Sequence, residues 1–184
     1  SGDFAYVDEF NGPLSPAWIG LRTPRVRPYS IDKGQLVLQS GQPLGKLDGV
    51  PGFIGRRQQH HDATVSTLVD YQPARDGDRA GLIAIQNDAN HVFLGVTRIA
   101  GRRMVALVKI ENGNETVLGS APLAAGRVEL IMEMHGGRSA YSYRAGGKVN
   151  SLKTDVDVTF LSTQKAKGFV GVVIGPYVQA ADGG

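Results

Sequence analysis

The sequence predicts an all-β chain of stacked antiparallel sheets, a sandwich or a barrel, and three observations predict it. Apolar and polar residues alternate with a period of two in several stretches, most clearly Val128, Leu130, Met132 and Met134 against Glu129, Ile131 and Glu133. Turn signals such as Asn-Gly, Gly-Gly and Asn-Asp recur every eight to twelve residues or so, the spacing of short strands. No stretch carries the 3.6-residue apolar period of a long helix.

Taken in order, Phe4, Tyr6 and Phe10 alternate with Ala5 and Asp8 as a first strand, which Asn11-Gly12-Pro13 ends. Residues 13–30 hold prolines at 13, 16, 24 and 28 and read as an ordered loop, because Trp18, Ile19 and Leu21 need burial. Leu36-Val37-Leu38 is a short strand, and the glycines and prolines between Gly41 and Gly52 make a loop. From Gly52 to Tyr71 the chain reads as one extended segment. Arg56 to Asp62 is a polar run, and Val65, Thr67, Val69 and Tyr71 then face one way and Thr64, Ser66 and Asp70 the other, before Pro73 ends the segment. Leu68 breaks the alternation on the polar side.

Leu82 to Ile85 is a strand stopped by Asn87-Asp88-Ala89-Asn90, residues that tolerate left-handed backbone. Val92–Ile99 and Met104–Ile110 form a hairpin around Ala100-Gly101-Arg102. Asn112-Gly113 turns into a strand containing Val117-Leu118, and Gly136-Gly137 joins the strand at Val128 to one over Ser139–Tyr143. Residues 150–167 carry no clear period and allow a strand or a loop, with a short helical turn expected to begin at Leu161-Ser162-Thr163-Gln164. The apolar run Phe169–Ile174 reads as a strand covered on both faces. Val65, Val69, Leu130 and Met132 are expected in one shared core.

Composition limits the function. The chain has 184 residues, 41% hydrophobic and 20% charged, enough for a single domain over 1–184 with a substantial core. No cysteine is present, which excludes disulfides and thiolate metal sites and fits cytoplasm and bacterial periplasm alike. Its net charge is only +3, and aromatics do not interleave with the arginine clusters, so nucleic acid is not an expected partner. No run reaches transmembrane length, so no membrane partner is expected either. No signal peptide opens the chain, as expected where a leader has been removed or the chain is part of something longer.

Candidate chemistry is sparse. Glu129 and Glu133 share one strand face and are the best carboxyl pair for glycoside hydrolysis, although four strand residues hold their Cα atoms about 13 Å apart. His60 and His61 are adjacent and would point to opposite faces, which does not suit a shared metal. Asp76-Gly77-Asp78 and Asn87-Asp88-Ala89-Asn90 could hold a structural calcium, but neither fits a full ligand loop, and turn formation accounts for both. No other cofactor is expected. Trp18, the sole tryptophan, offers an aromatic face that suits either stacking on a sugar ring or burial in the core.

One family resemblance is carried by an ordered set of motifs. Gly55-Arg56-Arg57-Gln58 precedes an alternating Thr/Val strand, a proline and Ala80-Gly81-Leu82. Phe10-Asn11-Gly12-Pro13-Leu14 is followed by Trp18 and Leu21-Arg22, then by Gly34-Gln35-Leu36-Val37-Leu38, and finally by Gly168-Phe169-Val170-Gly171-Val172 as a penultimate strand. The set resembles the C-terminal β-sandwich module of family 43 glycoside hydrolases, of the β-xylosidase and α-arabinofuranosidase type. The resemblance implies a concanavalin A-like, two-sheet antiparallel jelly roll that is non-catalytic itself. It also implies a separate five-bladed β-propeller catalytic domain as partner and a xylan- or arabinan-derived saccharide as substrate. On this reading Arg56, Gln58 and His60 alternate onto one docking face, and Phe53 either projects toward the partner's substrate pocket or caps this domain's own core. Two readings stand beside it: a free-standing lectin-like carbohydrate-binding module, and a jelly-roll hydrolase like those of family 16 using Glu129 and Glu133.

Overall fold

The structure, a computed structural model, describes residues 5–20, 27–41, 44, 51–162 and 171–181. It is built of antiparallel strands with no α-helix among those residues. A hairpin of β1 (Tyr29–Asp32) and β2 (Gln35–Leu38) comes first, followed by the short strands β3 (Gly52–Phe53) and β4 (Arg56–Arg57). The longer strands are β5 (Asp62–Val69), β6 (Arg79–Asn87), β7 (Asn90–Ile99), β8 (Arg102–Glu111) and β9 (Asn114–Pro122). After them come β10 (Val128–His135), β11 (Arg138–Ala145), β12 (Lys148–Asp157), a 3-10 turn at Thr159–Leu161, and β13 (Val173–Gln179).

These strands form two main sheets. The smaller runs β12-β11-β10-β5, and the larger runs β3-β13-β6-β7-β8-β9 with β4 also paired to β13. They pack face to face through one core in which Leu82, Leu94 and Leu107 of the larger sheet meet Leu130, Met132 and Tyr141 of the smaller. Val65 and Val69 of β5 pack against that core, as the alternation in their strand predicts. This is the predicted sandwich, not a barrel.

The larger sheet is buried on its other face as well. Ile83, Ile85, Phe93, Ala106, Val108, Ile110, Val173 and Tyr177 alternate with the inward residues of the same strands and form a second cluster with Phe53. Ile19 and Leu44 pack against this cluster from outside. Hence β6 and β7 read as continuous buried runs, a property the sequence suggested only for Phe169–Ile174. Of that run Phe169 lies outside the described residues, as do Phe4, Leu21 and the residues 45–50 of the expected loop. Val172 to Ile174 are buried, and β13 begins one residue after the motif Gly168–Val172. No strand follows it among the described residues, so within them the motif leads into the last strand.

Glycines let the strands of this sheet approach closely. Gly81 and Gly95 face each other across β6 and β7, and a Cβ on Gly81 would lie 2.2 Å from the Leu94 carbonyl oxygen. A Cβ on Gly175 would lie 2.0 Å from the Ile54 oxygen. Pro176, which has no N–H to donate, sits opposite the break between β3 and β4.

Four local expectations are corrected. Residues 5–10 form no strand, because the Asp8 carboxylate takes the Phe10 N–H at 2.9 Å and the Tyr6 hydroxyl at 3.0 Å. Phe10 is left in left-handed backbone at φ 54°. The expected loop over 13–30 ends in β1, whose hairpin to β2 turns on Lys33 and Gly34, both at positive φ as a two-residue type I′ turn requires. Of the stretch 150–167, which allowed a strand or a loop, the first part is indeed a strand, the edge strand β12, whose pairing with β11 shifts register around Tyr141. The 3-10 turn falls at Thr159–Leu161, just before the place where a helical turn was expected.

The fourth correction concerns the segment from Gly52 to Tyr71. It divides into three strands and changes sheets. β3 and β4 pair with β13, and the Gln58 N–H still donates to Val172 O at 2.8 Å. The chain then bends at His60 and His61 and enters the other sheet as β5. The polar run marks this crossing rather than a strand face.

Substitution should separate tight from open positions. Gly175→Ala should lower stability by about 2 to 3 kcal/mol, because the clash is with backbone that cannot give way. Leu68→Ser, at a side chain 60% exposed, should change it by less than about 0.5 kcal/mol. Urea unfolding of the two variants checks both.

Candidate functional site

The residues singled out by the sequence do not converge on one cleft. Phe53, on β3, is 1% exposed and packs into the second cluster near Ile83, Phe93 and Tyr177. The expectation that its ring projects toward a neighbour is therefore corrected: β3 pairs with β13, and its outward position falls on a face that other chain segments cover. Phe53→Ala should cost about 3 to 5 kcal/mol of stability in a denaturation measurement, as truncation of a fully buried aromatic does.

Arg56, on β4, lays its guanidinium over the Tyr6 ring, 3.5 Å from the centroid. Gln58 donates from Nε2 to the His60 carbonyl at 2.8 Å, which stiffens the bend where the chain changes sheets. His60 lies exposed on that bend. Arg56, Gln58 and His60 thus follow one another along the crossing segment, but they do not alternate on one strand face. Beside them Trp18 donates from Nε1 to Asp8 Oδ2 at 2.8 Å, and its ring tilts against Phe10 at 6.2 Å. Trp18 anchors the irregular N-terminal segment, not the sandwich core.

Glu129 and Glu133 lie on the outward face of β10, since Leu130, Met132 and Met134 between and beyond them point inward. Glu129 accepts from Arg144 Nε at 3.0 Å on the next strand. Glu133 sits between Thr64 and Ala140. The two carboxyls are spaced along one strand of a sheet face, and among the described residues no strand forms a wall opposite them, which is not the facing arrangement of the acid and base in a glycosidase cleft.

The acidic turns are committed to the backbone. Asp78 accepts N–H groups from Ala74, Arg75 and Ala181 at 3.1, 2.9 and 2.8 Å. The Ala181 N–H first, and the Arg75 and Ala74 N–H groups after it, hold its carboxyl below the ordinary range against the opposing effect of burial. Asp76 accepts the Gly101 N–H and faces Arg98. Asn87 Oδ1 accepts from Ala89 N and Asn90 Nδ2. Oxygens ringed by donors suit turns and not a cation, and no group of three metal-ligating side chains is found among the described residues.

One polar cluster escaped the sequence reading. On the covered face of the larger sheet, Arg79 lies 5.6 Å from the Phe93 ring and 3.4 Å from the Glu115 carboxylate. His91, 8% exposed, has one ring nitrogen, Nδ1, buried without a partner. Burial drives its pKa from 6.5 down to about 4, and the nearby Arg79 charge pushes the same way, against the opposing pull of the Asp88 carbonyl. The only available signal was that His91 begins an unbroken buried run. Aromatic residues on this face, Phe53, Phe93 and Tyr177, are 1%, 1% and 3% exposed, so they form no open row for sugar rings.

A neutral buried histidine binds its proton less readily folded than unfolded. Its contribution to stability is therefore present above pH 6.5 and is lost as the pH falls toward 4. Stability should drop by roughly 2 kcal/mol between about pH 7 and about pH 5, above the range where carboxylates titrate. Urea titrations across that window should show a flatter profile for His91→Gln.

The strands and their pairing define a two-sheet antiparallel sandwich of concanavalin A-like type. Residues 7–184 match the model of the family described as the beta xylosidase C-terminal concanavalin A-like domain, and the chain belongs to that family. It is 25% identical over 169 residues to a xylosidase/arabinosidase of Butyrivibrio fibrisolvens, covering 91% of this chain and 33% of that protein. It is 26% identical over 163 residues to a non-reducing end alpha-L-arabinofuranosidase of Bacteroides ovatus, covering 87% of this chain and 31% of that one. Among solved structures, a xylan beta-1,4-xylosidase of Bacillus halodurans superposes with a TM-score of 0.82 at 25% identity, over 100% of this chain and 38% of that one. The chain spans about a third of the length of the curated relatives it matches.

Proposed function

We propose that the chain serves as the accessory β-sandwich of a family 43 glycoside hydrolase, joined to a separate five-bladed β-propeller catalytic domain that acts on xylan- or arabinan-derived saccharides. The observation that carries this reading is the match of residues 7–184 to a C-terminal domain family whose curated relatives are about three times as long. On this reading the catalytic carboxyls belong to the partner. General acid catalysis needs a carboxyl kept protonated beside an ionised one. Glu129 is instead ion-paired with Arg144 and separated from Glu133 along a flat sheet face. The crossing segment with Arg56, Gln58 and His60 contributes polar contacts to the partner, while Phe53 supports it from within the core.

The purified chain should release no nitrophenol from aryl β-xylosides or aryl α-arabinofuranosides above the spontaneous rate, and Glu129→Gln and Glu133→Gln should leave that result unchanged. Turnover should appear only with the catalytic domain present. Hydrolysis by the chain alone, abolished by Glu133→Gln, would put a jelly-roll hydrolase in place of this reading.

A further inference from the structure

We infer that the irregular segment Tyr6–Asn11, with Arg56 beside it, is the surface on which the catalytic domain seats; this rests on the accessory reading above.

Among the described residues the exposed apolar side chains are mostly scattered. Val37, Leu68, Ile99, Val117 and Val149 lie singly on different strands, as surface residues commonly do. Tyr6 and Val7 are different. They are adjacent, 49% and 78% exposed, and belong to no strand. An unpaired segment carrying exposed apolar side chains would ordinarily be left loose, because nothing offsets the entropy of fixing it. Here it is held in one conformation. The Asp8 carboxylate gathers the Tyr6 hydroxyl, the Phe10 N–H and the Trp18 indole N–H at 3.0, 2.9 and 2.8 Å, and Arg56 clamps the Tyr6 ring from the other side. The same segment walls an open recess of about 450 Å³, lined by Tyr6, Val7, Phe10 and Pro13 among others.

Other faces fit a partner less well. The outward face of the smaller sheet is crossed by polar pairs, the ion pairs of Glu129 with Arg144 and Arg138 with Asp155 and the contact of Asp62 with His135. The outer aromatics of the larger sheet are already covered.

The occupant follows from the relatives. The matched family is a C-terminal domain, and the match begins at Val7, so in proteins of that build the preceding domain is tethered within a few residues of Tyr6 and Val7. A domain held that close meets this surface at high effective concentration. Its contact should be an apolar side chain entering the recess against Val7, with backbone or carboxylate oxygens accepting from Arg56.

Hydrogen exchange read by mass spectrometry tests this on the 184-residue chain and on the longer enzyme that contains it. Backbone amides of residues 6–9 should exchange about tenfold or more slower in the longer enzyme. Val7→Asp should remove that difference while leaving the unfolding midpoint of the isolated chain unchanged, and Val7→Leu should preserve it. Protection confined to β10 and β11, with residues 6–9 unchanged, would overturn the surface and leave the accessory reading standing. Concentration-dependent protection of residues 6–9 in the isolated chain would assign the surface to a second copy and overturn the inference. A gene product with no catalytic domain would overturn both.

Discussion

The structure depends on the need to cover one sheet twice. Strands β6, β7 and β8 carry apolar side chains on both faces, with Leu82, Leu94 and Leu107 on one and Ile83, Phe93 and Val108 on the other. Exposing either face would leave a contiguous apolar surface far larger than a soluble domain tolerates. The smaller sheet covers one side. Ile19 and Leu44, from the first quarter of the chain, pack against the other, and Phe53 fills its edge. The position of every residue considered for function follows from this. β10 turns Glu129 and Glu133 outward because its alternate residues, Leu130 and Met132 among them, are needed in the core.

Polar side chains join the irregular segments to this core. Asp78 ties the loop after Pro73 to Ala181 near the end of the chain. Arg103 donates to the carbonyls of Tyr71, Ala124 and Gly126 and draws together connections from both sheets. Asp8 performs the same task for the N-terminal segment. Each satisfies backbone groups that no strand pairs, which is why buried or half-buried charges in this chain belong to architecture. A side chain engaged in this way is poorly suited to shuttle protons or bind a cation.

The chain belongs to a domain family and spans about a third of the length of the first two curated relatives it matches. Its distinctive surface is the crossing segment between the sheets and the N-terminal residues stacked against it, where Arg56 lies over Tyr6.

The sequence by itself determined the strands from Arg79 to Ala145, since period-two alternation and Gly- or Asn-rich turns are local properties of consecutive residues. It also determined that β5 and β10 each bury one face, a pattern that suits a sandwich or a barrel alike, and the ordered motifs of the family resemblance pointed to the sandwich. Tertiary structure alone decided the rest. Whether Phe53 is a projecting aromatic or a core residue depends on what covers the outer face of its sheet, and those segments are remote in sequence. The polar run from Arg56 to Asp62 looks the same on one strand as on a crossing between two sheets, and only the separate pairings of β4 with β13 and of β5 with β10 distinguish them. His91 shows no special pattern in the chain, because its burial comes from the folding of other segments over β7. Alternation records which side a residue takes, and only the packed fold decides what lies on that side.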